Sequence, residues 1–207
     1  GIAFLSAFFG CLYAGLTAVP GYPPRRSRSV PALERMAADS GATAAFANSE
    51  VIKDADAYLS HNPKLQALIL VDSDSIDLSL GNDWVSPKFC SGVPAYLQYT
   101  SGSTAVPRGV IVTHDNLLLN LHHCKVGNDF TVDSVIVSWL PPYHDMGLVL
   151  GLLQAVYSGF QCFFMTPFTF AQKPIRWLRA MSDYHGTHSA APNFAYDLCV
   201  NTATEEN

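Results

Sequence analysis

Charged side chains are scarce in this sequence. Asp, Glu, Lys and Arg make up only 14% of its 207 residues, whereas hydrophobic residues make up 49%. An average soluble domain is about one quarter charged. The shortage predicts a sheet covered on both faces, or a part of something larger whose contact surfaces are apolar. With a net charge of −5 and a basic cluster limited to Arg25, Arg26 and Arg28, the chain is not expected to bind nucleic acid.

Paired cysteine motifs and a targeting segment are also missing. The five cysteines are odd in number, scattered and without a CxxC pair, which predicts reduced thiols and a cytoplasmic protein. His122, His123 and Cys124 are adjacent, so they would point to different faces of a helix and do not predict a zinc site. Because the sequence has neither an initiator methionine nor a signal-peptide layout, we expect it to be a piece of a longer chain.

The longest run without a charge, residues 2–19, raises the question of a membrane helix. Its large apolar residues recur at helical spacing, and the small and polar residues lie off that stripe. We therefore favour a buried helix and expect no membrane span. The stripe consists of Ile2, Leu5, Phe9, Leu12, Leu16 and Val19.

Strand and helix patterns alternate along the chain, which predicts an α/β fold with layered, mostly parallel sheets flanked by helices. A polar connector at 72–92 divides the chain into a first α/β lobe, 1–92, and a second, 93–207. The first lobe is predicted to contain helices at 31–39 and 50–59 and strands at 43–47 and 67–71. The second is predicted to contain strands at 95–99, 110–113, 134–139, 161–165 and 187–190, and helices at 113–126, 143–157, 174–184 and 193–200.

The segment TSGSTAVPRG at 100–109 is the first candidate site. Successive backbone N–H groups in such a turn can converge on one anion, the hydroxyls add donors, and the Arg108 guanidinium adds a fixed charge. These features indicate a loop that holds a polyphosphate, although a plain hairpin loop remains the alternative. The GxxxxGK[ST] phosphate loop is absent. The donor residues are Thr100, Ser101, Gly102, Ser103 and Thr104.

The segment PPYHDMGL at 141–148 is the second candidate site, because it follows a predicted parallel strand. His144 can donate to a carboxylate or phosphate oxygen, and Asp145 can cap the next helix. Met146 and Gly147 would form an apolar wall. A serine-hydrolase interpretation would pair His144 with Asp145, but adjacent residues do not easily adopt that geometry, and no GxSxG motif supplies the nucleophile.

Taken together, these motifs resemble a known superfamily. TSGST-x-x-P-[KR]-G, followed by V-x-x-[TS]-H and an asparagine, resembles the phosphate loop of adenylate-forming enzymes. SWLPPYHDMGL, APNFAYDLC and the opening AFFGCLYAGLTAVPGYPP are similar to the fatty acyl-AMP ligase branch. The resemblance covers nearly the whole chain and implies part of the large N-terminal domain of such an enzyme.

The resemblance implies a two-step reaction. A fatty acid and Mg-ATP would give acyl adenylate and pyrophosphate, and the acyl group would pass to the phosphopantetheine thiol of an acyl carrier protein or of a polyketide or nonribosomal peptide synthase carrier domain. His144 and Arg108 would be catalytic, residues 100–104 would bind the ATP phosphates, and Mg²⁺ would be held mainly by phosphates, with no protein ligand named. The implied acyl-binding residues are Met146, Gly147, Pro192, Asn193 and Phe194.

The sequence departs from the pattern at two positions and leaves alternatives open. Ala105 stands where the family usually has glycine, and Arg108 where it usually has lysine, so we expect binding with altered kinetics. The adenine site and the catalytic lysine of the family would lie outside this sequence, and this part alone should have little activity. The alternatives are an acyl-CoA synthetase and a non-catalytic nucleotide- or lipid-binding module.

Overall fold

The computed structural model describes residues 1–22, 30–59, 62–88, 90–100 and 108–203. It divides into two compact units, Gly1–Asn116 and Leu117–Asn207, and each is described by itself. The predicted α/β class is confirmed, since helices alternate with short strands in both. Within the described ranges, no helix combines the length and apolar character that crossing a membrane requires. All five cysteines are free thiols.

The first unit contains a parallel β-α-β arrangement. Strand β1 (Ala44–Ala47) pairs in parallel with β2 (Ile69–Asp72), and helices α3 (Ser49–Leu59) and α4 (Pro63–Gln66) connect them. Helix α2 (Val30–Ser40) precedes β1. Gly41 follows α2 with a φ of +65°, the left-handed conformation in which glycine commonly ends helices. The predicted parallel pairing is therefore present.

An antiparallel pair completes the first unit. Strand β3 (Pro94–Thr100) pairs with β4 (Arg108–Thr113). Helix α1 spans only Ile2–Tyr13, shorter than the predicted run, because the chain turns at Gly15, whose φ is +68°. A 3₁₀ helix at Leu78–Asp83 lies inside the polar connector.

The boundary between the units differs from the predicted division at 92/93, because it falls between Asn116 and Leu117. The contacts of β3 give the physical reason. Ala18 forms a parallel bridge with Tyr96, and the Tyr99 hydroxyl bonds to Asp39 on α2. The β3–β4 pair is therefore held to the first 92 residues by backbone and side-chain bonds, and the connector does not separate them.

The second unit begins within helix α5 (His114–Gly127) and contains most of it. Strand β5 (Val135–Ser138) pairs in parallel with β6 (Gln161–Phe164). A π-helix, Met146–Leu153, and helix α6 (Gln154–Ser158) connect these strands. The remaining helices are α7 (Pro167–Gln172), α8 (Ile175–Asp183) and α9 (Asn193–Thr202).

The predicted strand at 187–190 is not a regular strand. Its backbone forms only a single bridge, between His188 and Ile136 on β5. Side chains replace the rest of the ladder: the Val135 N–H donates to Thr187 Oγ1, and Ser189 Oγ donates to the Val137 carbonyl. The segment nevertheless runs parallel to β5, to which it is bonded at Val135 and Val137.

The core of the second unit is built from stacked aromatic rings. The rings of Trp139 and Phe170 lie 3.9 Å apart and nearly parallel, and Trp177 meets both edge-on. The Trp177 indole N–H donates to Ser189 Oγ. This cluster fixes the end of β5, from which the second candidate site begins.

Replacing Phe170 with alanine should lower the free energy of unfolding by about 3–5 kcal/mol, because the side chain is only 1% exposed and stacks on Trp139. Phe168→Ala is the matched control on the same helix, since Phe168 is 58% exposed. Urea denaturation followed by tryptophan fluorescence measures both. Equal losses for the two variants would contradict the assignment of the core.

Candidate active site

The two described ends of the predicted phosphate loop lie opposite each other. Thr100 and Arg108 are register partners at the end of the β3–β4 pair, and both are exposed. Segment 101–107 joins them and lies outside the described residues, as do the predicted donors Ser101, Gly102, Ser103 and Thr104 and the substituted position Ala105. The described strands thus bring one hydroxyl and one guanidinium to the same end of a hairpin.

Tyr99 braces the base of this hairpin. It pairs with Gly109, and its ring covers that glycine so closely that an added Cβ would lie 2.9 Å from the Tyr99 Cζ atom. The Tyr99 hydroxyl donates to Asp39 Oδ2 at 2.6 Å. Burial, together with this bond to the Asp39 carboxylate, raises the pKa of Tyr99 to about 12. The neutral phenol therefore ties β3 to α2 one residue before the loop begins.

The second candidate site begins at a turn after β5. The His144 N–H donates to the Pro141 carbonyl at 3.1 Å, and the Leu148 N–H donates to the His144 carbonyl at 2.8 Å. Asp145 caps the π-helix as predicted, with Oδ1 accepting from the Met146 N–H at 2.6 Å. This turn follows the carboxyl end of a parallel strand, the location where α/β proteins bind ligands.

His144 and Asp145 form an exposed pair. His144 Nδ1 lies 2.5 Å from Asp145 Oδ1, and the side chains are 65% and 63% exposed. The contact alone does not make a serine-hydrolase site, because no GxSxG motif supplies a nucleophile for the pair. Since an ionised carboxylate can only accept, Nδ1 carries the proton in this contact, which leaves Nε2 outside it.

Two glycines allow the π-helix to approach β5 closely. A Cβ added to Gly147 would overlap the Pro141 carbonyl oxygen and lie 2.8 Å from the Pro141 carbonyl carbon. A Cβ added to Gly151 would lie 3.2 Å from Ser138 Oγ. Backbone of the helix therefore packs directly on the strand and on the turn after it. π-helical turns are rare and frequently occur at functional sites.

A mostly apolar cavity of about 120 Å³ lies in the second unit. Alternate residues at the end of β5 form one side, the π-helix forms another, and segment 188–190 and the chain after α5 close the remainder. The lining residues are Asn128, Phe130, Ile136, Ser138, Leu140, Met146, Leu150, Gly151, His188, Ser189 and Ala190.

The predicted acyl-binding residues occupy different positions relative to this cavity. Met146 lines it. Gly147 is buried against Pro141 behind it. Pro192 and Asn193 begin α9, and the half-exposed Phe194 meets the Trp139 ring edge-on at 6.2 Å. These three are not among the described residues that line this cavity.

Sequence reasoning missed most of the cavity wall. Asn128, Phe130 and His188 come from segments far apart in sequence, and no local pattern links them. The spacing of Gly147 and Gly151 was the one available signal. Glycines four residues apart lie on the same side of a helix and permit close packing, and here that side faces β5.

No metal cluster accompanies these sites in the described parts of the chain, where no three histidine, cysteine, aspartate or glutamate side chains are grouped to hold a metal ion. His122 and His123 are exposed on α5, and their ring centroids lie 6.1 Å apart.

Comparison with known proteins gives a match to the family described as AMP-binding enzyme, over residues 1–207. The chain is 43% identical to the medium-chain-fatty-acid–[acyl-carrier-protein] ligase JamA of Moorena producens (strain JHB), over 100% of this chain and 36% of that protein. It is 35% identical to the long-chain-fatty-acid–AMP ligase FadD26 of Mycobacterium marinum, again over 100% of this chain and 36% of that protein.

A solved structure is also similar: the fatty acyl-adenylate ligase from L. pneumophila in complex with acyl adenylate and pyrophosphate. It gives a TM-score of 0.92 at 39% identity, over 100% of this chain and 35% of that one. The chain thus spans about a third of the length of the relatives that it matches. These similarities confirm the predicted fold class and the predicted resemblance to fatty acyl-AMP ligases.

Titration should reveal the brace between Tyr99 and Asp39. The folded phenol keeps its proton until about pH 12, whereas an unfolded tyrosine loses its proton near pH 10. The stability that this shift contributes is therefore complete below about pH 10 and is lost as the pH rises toward 12.

We expect Asp39→Asn to lower the Tyr99 pKa, measured by the pH dependence of its ¹³Cζ resonance. Asp54→Asn on α3 is the charge-matched control, and an unchanged Tyr99 midpoint in Asp39→Asn would contradict the brace.

Gly147→Ala should lower the free energy of unfolding by about 1–3 kcal/mol, because the new methyl group would overlap the Pro141 carbonyl and push the helix from the turn. Gly127→Ala is the control, since a Cβ there meets nothing within 4 Å. Urea denaturation compares the two. A Gly147→Ala protein as stable as the control variant would show that the close packing is not required.

Proposed function

Because this chain belongs to the AMP-binding enzyme family, we propose that the whole protein activates a fatty acid with ATP, forming an acyl adenylate and releasing pyrophosphate. The observation that carries the proposal is the adjacency of His144 and Met146 in one turn. His144 is a polar, exposed ring, and Met146, two residues later, lines an apolar cavity. A fatty acid has the same division, with an anionic head and a hydrocarbon tail.

In the proposed reaction, a carboxylate oxygen attacks the α-phosphorus of ATP, and the bond from that phosphorus to pyrophosphate breaks. Both reactants are anions, so catalysis consists mainly of holding them close and stabilising the charge on the leaving group. The Arg108 guanidinium and the Thr100 hydroxyl, which share one end of the hairpin, would contact the departing pyrophosphate. Residues 101–104 would add backbone and hydroxyl donors.

The histidine acts on the acyl carboxylate and the α-phosphate in this proposal. Asp145 bonds to Nδ1, which orients the ring so that its Nε2 edge would face an anionic oxygen of the substrate. Asp145 is a positioning residue because it acts through His144 and through its cap on the Met146 N–H. The Mg²⁺ that accompanies ATP would neutralise phosphate charge and would be bound chiefly by phosphate oxygens.

The hydrocarbon tail would enter the cavity beside Met146. Gly147 would contribute by allowing the π-helix to pack on Pro141, which sets the position of the Met146 side chain. Pro192, Asn193 and Phe194 remain proposed walls of the acyl channel. The Phe194 ring contacts Trp139 edge-on, and Trp139 is the neighbour of Leu140, which lines the cavity.

For the second step, we propose transfer to the phosphopantetheine thiol of a carrier protein. The thiolate sulfur would attack the acyl carbonyl, a thioester would form, and AMP would leave. The similarity to a protein named as a fatty-acid–[acyl-carrier-protein] ligase supports this acceptor. The five free thiols support a reducing, cytoplasmic setting.

ATP–pyrophosphate exchange in the full-length protein tests the first step. We expect exchange that depends on a fatty acid, and a loss of about 10²–10³-fold in kcat/KM in Arg108→Ala and in His144→Ala, because each removes a group that stabilises developing charge. Arg179→Ala on α8 and His123→Ala on α5 are the matched controls, since both alter the same residue types on helices outside the proposed site.

Wild-type activity in both Arg108→Ala and His144→Ala would refute their proposed roles. ATP and fatty-acid binding without exchange would instead identify a non-catalytic module. Offering coenzyme A and a carrier protein in parallel decides the acceptor, and faster transfer to coenzyme A would identify an acyl-CoA synthetase.

A further inference from the structure

We infer that His188 forms the closed end of the cavity and limits the length of the acyl chain, accepting an unsubstituted hydrocarbon terminus. This inference rests on the proposed function, because it assumes that the tail of a fatty acid occupies the cavity. It concerns a residue outside the two sites singled out from the sequence. Three features of the second unit support this role: the direction of β5, the bonds of the His188 ring and the anchoring of its neighbours.

The direction of β5 gives the cavity two ends. Ile136, Ser138 and Leu140 are alternate residues along one path and line the same side. Leu140 leads into the turn that carries His144, whereas Ile136 is bridged to His188. Four residues of extended chain span about 13 Å. A carboxylate bound at His144 would therefore direct its tail along β5 toward His188.

Both nitrogens of the His188 ring are already bonded. Nε2 lies 3.0 Å from the Asn128 carbonyl oxygen, and since a carbonyl only accepts, Nε2 carries a proton. Nδ1 lies 2.7 Å from Thr187 Oγ1, whose one proton is shared between this nitrogen and the Val135 carbonyl oxygen at 3.2 Å. The ring centroid also lies 4.6 Å from that of Phe130. The ring therefore has its polar atoms satisfied by protein and can close an apolar cavity without a polar ligand.

The residues on either side of His188 hold it in place. Thr187 Oγ1 accepts from the Val135 N–H at 2.8 Å. Ser189 Oγ donates to the Val137 carbonyl at 2.5 Å and accepts from the Trp177 indole at 2.9 Å. Because both neighbours are bonded to β5 or to the aromatic core, the ring cannot easily swing aside for a longer chain. A wall fixed in this way determines specificity better than a mobile one.

The size and chemistry of the cavity agree with a short apolar segment. Its volume of about 120 Å³ is slightly less than the roughly 150 Å³ of an apolar cavity known to bind benzene. With the nitrogens of His188 engaged, a terminal hydroxyl or carboxylate on the acid would find no partner on this ring and would lose its hydration. The His188 ring should therefore favour an unsubstituted methyl terminus over an ω-hydroxylated one.

Exchange assays on the full-length protein, with octanoate, dodecanoate, palmitate and ω-hydroxydodecanoate, test the inference. In His188→Ala, we expect kcat/KM for palmitate relative to octanoate to rise at least about tenfold, since each methylene accommodated is worth about that much. In His188→Trp, the same ratio should fall. His123→Ala on α5 should leave it unchanged. The wild type should use ω-hydroxydodecanoate at least about tenfold less well than dodecanoate.

Different outcomes contradict the proposed function and the role of His188. No exchange with any acid in the wild type would refute the proposed function. Exchange with an unchanged chain-length ratio in folded His188→Ala and His188→Trp would overturn only the role of His188. If neither variant folds, wild-type protein with a preferred acid bearing a terminal diazirine decides the matter. Photolabelling should reach Asn128, Phe130 or His188, and labelling confined to other residues would overturn the inference.

Discussion

The structure of the candidate site depends on the contact between Gly147 and the backbone of Pro141. No side chain fits between them, so the π-helix rests directly on the turn that follows β5. This contact holds two neighbouring residues in different environments: Asp145 and the histidine it bonds are exposed, while Met146 faces the cavity. Because Gly147 lacks a Cβ, the helix can pack on the turn. A site for the polar head and a site for the apolar tail of a ligand can then lie next to each other.

Hydrogen bonds from side chains to the backbone hold segment 187–189 against the edge of β5. Thr187 and Ser189 bond to the strand where a regular ladder would otherwise run, and they leave the residue between them to pack on Phe130. In the first unit, Tyr99 acts similarly by bonding to Asp39 and covering Gly109. In both units, the edge of a small sheet is secured by a few specific side-chain bonds, since each sheet has two strands in the described part of the chain.

Sequence patterns predicted the features that depend on neighbouring residues. The parallel β1–β2 pair, the two strands on either side of the 101–107 segment and the Asp145 cap all follow from local spacing, whereas the antiparallel pairing of those two strands was not predicted. The π-helix was not predicted. Its sequence, MGLVLGLL, is apolar throughout, so the spacing of apolar and polar residues does not distinguish a π-helix from an α-helix. The boundary between the units and the role of His188 depend on contacts across more than fifty residues, such as His188 with Asn128, which periodicity cannot reveal.

The π-helix also makes the lining of the cavity, more than the fold, sensitive to insertions and deletions. Such a turn holds an additional residue relative to an α-helix, and each residue of an α-helix rotates the following side chains by about 100°. Loss of one residue between Met146 and Leu153 could be absorbed by a return to α-helical geometry, so the protein could still fold. It would then present a different set of side chains to the cavity, and evolution could exchange one lining for another by a single codon.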